Sequence, residues 1–314
     1  MRILFAGNKG RGVACLRALA EAGHEIAGVV AHPGNGAPGS VAQVASSLRL
    51  PVFTPRRVND PDSLTNLASL KPDLIVLAGY SQIVGEQFIA LAPHGCINLH
   101  GGKLPEYRGS SPMNWALING ETEFGISIIE VDRGVDTGDV LSERTFQIGI
   151  DDTIADLQRV ADVAFPEMLV DVVRRIEAGT VERRKQDPEL AVYYPLRFPE
   201  DGLILWDQFT ASEIHNRIRA LTDPYPGAFS YLGGRRLKLL ASRLAAHDVH
   251  GEPGRIYRVT ERGLLVCARD RCLWVEKAIF EPGGENVMDV ATRYASLATV
   301  AGAAAAILKG GLRP

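Results

Sequence analysis

Apolar residues come in short bursts through the first hundred positions. The runs at 3–6, 26–31, 52–54, 74–78 and 96–99 are too short for helices and apolar along most of their length, as strands covered on both faces must be. Between them, near 11–22, 40–49, 61–70 and 84–91, apolar positions recur at helical spacing. This alternation predicts a doubly wound, mostly parallel sheet. A helix near 111–119 and strands near 124–131 and 139–147 follow. A long helix then runs from 152 to about 179, with Ile154, Leu157, Ala161, Ala164, Met168, Val172 and Ile176 on one face and Pro166 as a candidate kink.

Beyond residue 185 the pattern changes. Pro188, Pro195, Pro199 and Gly202 interrupt a stretch without sustained period. A first domain at 1–185, a linker at 186–200 and a second domain at 201–314 are therefore expected. The second opens with a helix near 210–221. Short strands at 228–232, 235–243, 255–259, 263–267 and 272–280, separated by Gly-Gly, Glu-Pro-Gly and Arg-Asp turns, predict a small β-barrel or sandwich. The alanine-rich tail after Tyr294 reads as a helix.

A chain of 314 residues has room for two cores. With 46% hydrophobic residues, 23% charged residues and a net charge of −3, it makes no general case for a nucleic-acid partner. It holds no apolar run long enough to span a membrane and no apolar signal core before the first strand, so a cytoplasmic protein is expected. Cys15, Cys96, Cys267 and Cys272 lack metal-ligand spacing and read as buried or incidental thiols, without a disulfide or a metal site. The turn Gly7-Asn8-Lys9-Gly10-Arg11-Gly12 is ordered G-x-x-G-x-G, and His32-Pro33 stands where a dinucleotide fold places an acid. A tight strand-to-helix turn is expected there, not a dinucleotide site.

The densest chemistry lies in Ile97-Asn98-Leu99-His100-Gly101-Gly102-Lys103-Leu104-Pro105-Glu106-Tyr107-Arg108-Gly109 and in Val135-Asp136-Thr137-Gly138-Asp139, with Asp136 placed 36 residues after His100. Asn98 and His100 are two apart at a strand end, so their side chains point to the same side. Acyl transfer needs a donor for the developing oxyanion, a base for the nucleophile and an anion to orient that base. Asn98, His100 and Asp136 supply one of each. Open sheets bind ligands beyond the carboxyl ends of their strands, where this pair and the turn Gly79-Tyr80-Ser81-Gln82 both open. Asn-x-His alone is as consistent with loop capping. Specificity comes from the register of Leu104-Pro105-Glu106-Tyr107-Arg108-Gly109, of Pro112-Met113-Asn114-Trp115-Ala116 opening a helix, and of Asn119-Gly120-Glu121-Thr122-Glu123 closing it.

Together these motifs resemble the N10-formyltetrahydrofolate-dependent formyltransferases. The resemblance implies a Rossmann-like catalytic domain followed by an OB-like barrel, and transfer of a formyl group from N10-formyltetrahydrofolate to a primary amine. In that reading Asn98 stabilises the oxyanion, His100 donates to the same oxygen or collects the amine proton, and Asp136 accepts from the other ring nitrogen. The resemblance also implies a pteridine lying against the segment that holds Leu77, Gly79, Tyr80, Gln82, Ile83 and Val84, and against the loop at Val135. Asn8, Lys9 and Arg11 would lie near the amine substrate, with Tyr107 beside them and Arg108 shaping the loop beneath.

The expected acceptor is a nucleotide-linked amino sugar. Similar transfer-RNA formyltransferases carry a long basic insertion after the second strand to grip phosphates, whereas the loop 32–40 is short and has no Lys or Arg. Segments 197–202 and 222–231 look like the amino-arabinose formyltransferase of lipid A modification, to which residues 1 to about 280 are similar in layout. Methionyl-tRNA, or a small amine such as hydroxyornithine, stands as the alternative. Arg235, Arg236, Lys238 and Arg243 form a basic run that a tRNA reader could use and that a solvated strand face explains equally. Hydrolysis of the donor would use the same trio, but such hydrolases carry an N-terminal regulatory segment and this chain opens on its first strand. A homodimer through the barrel or a strand edge is left open.

Overall fold

A computed structural model describes residues 1–33 and 39–300; the side chain of Lys9 lies outside the described part. The expected alternation is present: β1 (Arg2–Gly7), α1 (Lys9–Glu21), β2 (Glu25–Val30), α2 (Val41–Ser47), β3 (Val52–Phe53), α3 (Pro61–Ala68), β4 (Leu74–Ala78), α4 (Glu86–Ile89) and β5 (Cys96–His100). Next come β6 (Arg108–Gly109), α5 (Pro112–Asn119), β7 (Glu123–Glu130), β8 (Val140–Gln147), α6 (Ile154–Glu177) and β9 (Tyr193–Tyr194). The main sheet has the order β3-β2-β1-β4-β5-β7-β8. Its first five strands are parallel, and β7 reverses direction against β5.

The chain winds outward from β1 through β2 to β3, then returns to the other side of β1 with β4. Strand order thus reverses between β1 and β4, and a crevice opens past their carboxyl ends. There the Asn8 amide donates to the Ala78 carbonyl at 3.1 Å. The glycine turn packs as expected: a Cβ on Gly12 would lie 2.8 Å from Val41 Cγ2 and 3.2 Å from the Ala78 carbonyl, so glycine lets α1 approach β4 closely. All seven apolar positions predicted on one face of α6 are buried, and the helix continues through Pro166.

Two compact units emerge: Met1–Pro112 with Phe124–Phe146 and Gln158–Pro195, and Met113–Glu123 with Gln147–Leu157 and the chain from Leu196 on. The second unit contains α7 (Ala211–Leu221) and an antiparallel sheet of β10 (Ala228–Leu232), β11 (Arg235–Leu244), β12 (Ile256–Thr260), β13 (Gly263–Cys267) and β14 (Cys272–Phe280), in the order β10-β11-β14-β13-β12. Thr210 and Glu213 form a reciprocal capping box at the start of α7. Segments 113–123 and 147–157, sequentially remote from this sheet, are bonded within the same unit. Asn114 Nδ2 donates to the Ala220 carbonyl at 2.7 Å, and His215 Nε2 lies 2.9 Å from the Ile150 carbonyl.

Two expectations are corrected. Instead of continuing as a helix after Tyr294, the chain runs along the sheet at 295–298. The Ile256 amide donates to Ala295 O, the Leu297 amide to Gly254 O and the Ala298 amide to Tyr231 O, so this segment joins the two open edges of the five-stranded sheet. The rest of the tail, 301–314, lies outside the described residues. Cys267 and Cys272 are joined as a disulfide, because the β13–β14 register sets them directly opposite each other. Cys15 and Cys96 are buried thiols. Within the stretch read as a linker, β9 pairs in parallel with β6. Among the described residues no helix is long and apolar enough to cross a membrane.

Candidate active site

Strand β5 places Asn98 opposite Ile129 and His100 opposite Ser127 of β7, with both side chains on one side of the sheet. Asn98 is half-buried, and its side-chain amide makes no hydrogen bond with any described residue. A half-buried amide without a protein partner is costly unless something else binds it, and its two N–H groups can serve one incoming oxygen.

His100 is buried, and its Nε2 lies 2.6 Å from the main-chain carbonyl of Tyr107. A carbonyl only accepts, so Nε2 carries the proton in this contact. The other ring nitrogen lies 3.5 Å from Asp136 Oδ2, within ion-pair range and longer than an ordinary hydrogen bond. That carboxylate oxygen accepts from the Gly109 amide at 2.9 Å. The trio is therefore assembled, with the contact between Asp136 and the ring looser than the resemblance implied. Catalytic hydrogen bonds often tighten only when substrate is in place.

The loop around the ring is braced from below. The Tyr107 amide donates to Lys103 O at 2.8 Å, and Ser127 Oγ donates to Gly102 O at 2.9 Å. The Tyr107 ring stacks on Tyr194, with centroids 4.9 Å apart and planes 10° apart. Arg108 is buried and donates from Nη1 to the Tyr193 hydroxyl at 2.7 Å.

The residues assigned to the folate fall into two groups. Leu77 is buried on β4 directly beside Asn98, and Gly79 turns the chain in the left-handed region at φ 70. Ile83 and Val135 are apolar side chains left 83% and 54% exposed. Tyr80 stacks on His32 with centroids 4.9 Å apart, and burial pushes its phenol up to about 12. The other two shape the wall: Gln82 spends its side chain on the Val58 amide and the Pro55 carbonyl, and Val84 packs against the core.

Of the residues assigned to the acceptor, Asn8 has its main chain engaged by Ala78 and Gly12. Arg11 is taken up by α6, lying 4.5 Å over the Phe165 ring and 3.7 Å from Asp162. Burial raises Asp162 above the usual carboxylate range despite that guanidinium. The Lys9 side chain lies outside the described residues. In the second unit, Arg235, Arg236, Lys238 and Arg243 face Glu285, Glu281, Asp223 and Glu276, respectively, the arrangement of a charge-compensated strand face.

One residue of the site carries no sequence signal. Gln186, in the expected linker, accepts from Arg108 and donates to the carbonyls of Asp136 and Gly138. A lone glutamine in an aperiodic stretch offers nothing to find it by.

Comparison with known proteins gives concordant results. The formyl transferase family profile matches residues 1–173, and that of the formyl transferase C-terminal domain matches 198–295. The methionyl-tRNA formyltransferase of Geobacter sulfurreducens is 39% identical over 273 residues, covering 85% of each chain. Among solved structures, an N-formyltransferase from Helicobacter canadensis, complexed with folinic acid and dTDP-3-aminofucose, superposes with a TM-score of 0.71 at 20% identity, over 87% of this chain and 98% of its own. HypX from Aquifex aeolicus, in complex with tetrahydrofolic acid, gives a TM-score of 0.65 at 21% identity over 90% of this chain and 44% of its own. At these identities the structural likenesses establish the fold.

Proposed function

The chain belongs to the formyl transferase family, and from that premise we propose that it transfers a formyl group from formyl-tetrahydrofolate to the amine of methionyl-tRNA. The observation that carries the acceptor is the 39% identity to a methionyl-tRNA formyltransferase along 85% of both chains. The amino-sugar reading, preferred from the sequence, is supported by a fold match at 20% identity. The loop comparison behind it concerned one place where a polyanion can be gripped, and residues 34–38 of that loop lie outside the described part. Segment 197–202, its second basis, is a self-bonded turn in which the Phe198 amide donates to Asp201 Oδ2 and Arg197 Nη2 donates to Asp201 O. Such a turn serves the fold whatever the acceptor.

The site fits a folate donor through the amide of Asn98, which no described residue bonds, and the exposed apolar side chains of Ile83 and Val135. When bound, the donor supplies the activated formyl group. Asn98 Nδ2 would donate to the formyl oxygen as charge builds there. His100 Nδ1, the ring nitrogen that the Tyr107 contact leaves unprotonated, would collect the proton of the attacking amine. With Tyr107 O at one ring nitrogen and the Asp136 carboxylate facing the other, a ring that gains a proton is held by an acceptor on each side.

The test supplies the purified protein with N10-formyltetrahydrofolate and, separately, methionyl-tRNA, dTDP-linked amino sugars and hydroxyornithine, following tetrahydrofolate release. Turnover is expected with methionyl-tRNA, weakened by salt and lost in His100→Ala. Turnover with an amino sugar and none with methionyl-tRNA would overturn the acceptor assignment.

A further inference from the structure

Gln186 uses its whole hydrogen-bonding capacity. Its Oε1 accepts from Arg108 Nε at 3.0 Å and Nη2 at 2.9 Å, while its Nε2 donates to Asp136 O at 2.9 Å and Gly138 O at 2.7 Å. An arginine only donates and carbonyls only accept, so the amide has one workable orientation. The two loops it joins are the one that carries Asp136 and the one whose main chain meets His100 and the Asp136 carboxylate. Arg108 precedes Gly109, whose amide holds the Asp136 carboxylate, and follows Tyr107, whose carbonyl holds His100.

Asp136 is a non-glycine residue at φ 53, a left-handed conformation that persists only where its surroundings over-determine it. Here its carbonyl is held by Gln186 and its carboxylate by Gly109. The same strap continues through β9: the Arg108 amide donates to Val192 O at 3.0 Å and the Ser110 amide to Tyr194 O at 2.9 Å.

We propose that Gln186 is a positioning residue for formyl transfer, aiming the Asp136 carboxylate at His100 by clamping the two site loops to each other through Arg108. The inference rests on the reading of Asn98, His100 and Asp136 as the catalytic trio. Among the described residues the Gln186 side chain bonds Arg108, Asp136 and Gly138, so it acts through the main chain of Asp136.

The amide's two halves can be separated by substitution. Gln186→Glu keeps an oxygen to accept from Arg108 and replaces the donor of both bonds to the Asp136 loop by a second oxygen, whereas Gln186→Leu removes all four bonds. Some loss of melting temperature is expected in both variants, because the carbonyls of Asp136 and Gly138 lose their donor. If Gln186 serves only to satisfy buried Arg108, the glutamate variant keeps parental kcat at temperatures well below its melt. If it positions Asp136, kcat there falls roughly tenfold or more with both KM values within about twofold, because a small misplacement of a reacting group is costly. Parental kcat in Gln186→Glu, or a loss confined to KM, overturns the proposal. His100→Ala, assayed alongside, separates the two levels: full activity there removes the trio itself, whereas an inactive His100→Ala beside a parental Gln186→Glu removes only the role of Gln186.

Discussion

The His100 imidazole and the Tyr107 carbonyl are 2.6 Å apart, a contact made across a loop of only six intervening residues. That loop closes tightly because position 102 has no side chain. A Cβ on Gly102 would lie 2.6 Å from Tyr107 O and 2.8 Å from His100 Nε2, atoms on both sides of this contact.

Gly102→Ala is therefore expected to push the ring and the carbonyl apart while leaving the sheet beneath intact. A displacement approaching 1 Å costs on the order of 10²-fold in rate. Steady-state kinetics beside a thermal melt would check it; a variant with parental kcat would show that the ring's placement does not depend on this contact.

Asn98→Ala removes a side chain that no described residue uses. Folding should be spared, with the melting temperature near the parent's. The barrier should rise by about 2.7–4 kcal/mol, as when one oxyanion donor is lost elsewhere. Parental turnover in this variant would exclude the amide from the chemistry.

The second unit should be acid-sensitive through His215. The ring lies 3.0 Å from Ser242 Oγ and 2.9 Å from Ile150 O, and burial holds its pKa below the ordinary 6.5. As pH falls below 6.5 the unfolded chain takes up a proton that the folded chain resists, so stability is whole above that value and declines beneath it. Denaturant unfolding across this range should show a shallower acid decline in His215→Gln; equal slopes would assign the decline to other groups.

At the alkaline end the sign reverses for Cys15. Burial pushes this thiol from 9.0 up to about 12, so between those values the unfolded chain loses a proton that the native chain keeps. Its share of the stability is complete below pH 9 and falls above it, by at most about 1.4 kcal/mol per pH unit. Cys15→Ala should show a flatter loss in unfolding measured above pH 9, at some cost in packing at every pH.

The sequence alone was enough to place the layers and two members of the trio. Buried strands must be apolar along their length and a helix lying on them must show a stripe, so β1 to β5 and the buried face of α6 could be read directly. The two-residue repeat of a strand likewise puts Asn98 beside His100 without knowledge of anything remote. Only the tertiary structure decided the parts built from single long-range hydrogen bonds. Gln186 reaches Arg108 across 78 residues and Asp136 across 50, β6 and β9 are strands of two residues each, Cys267 meets Cys272 by ladder register, and 295–298 joins two sheet edges. Periodicity records which face of an element is buried. It leaves no trace of a single donor finding a single acceptor on a distant loop, and that kind of contact is what holds the Asp136 carbonyl.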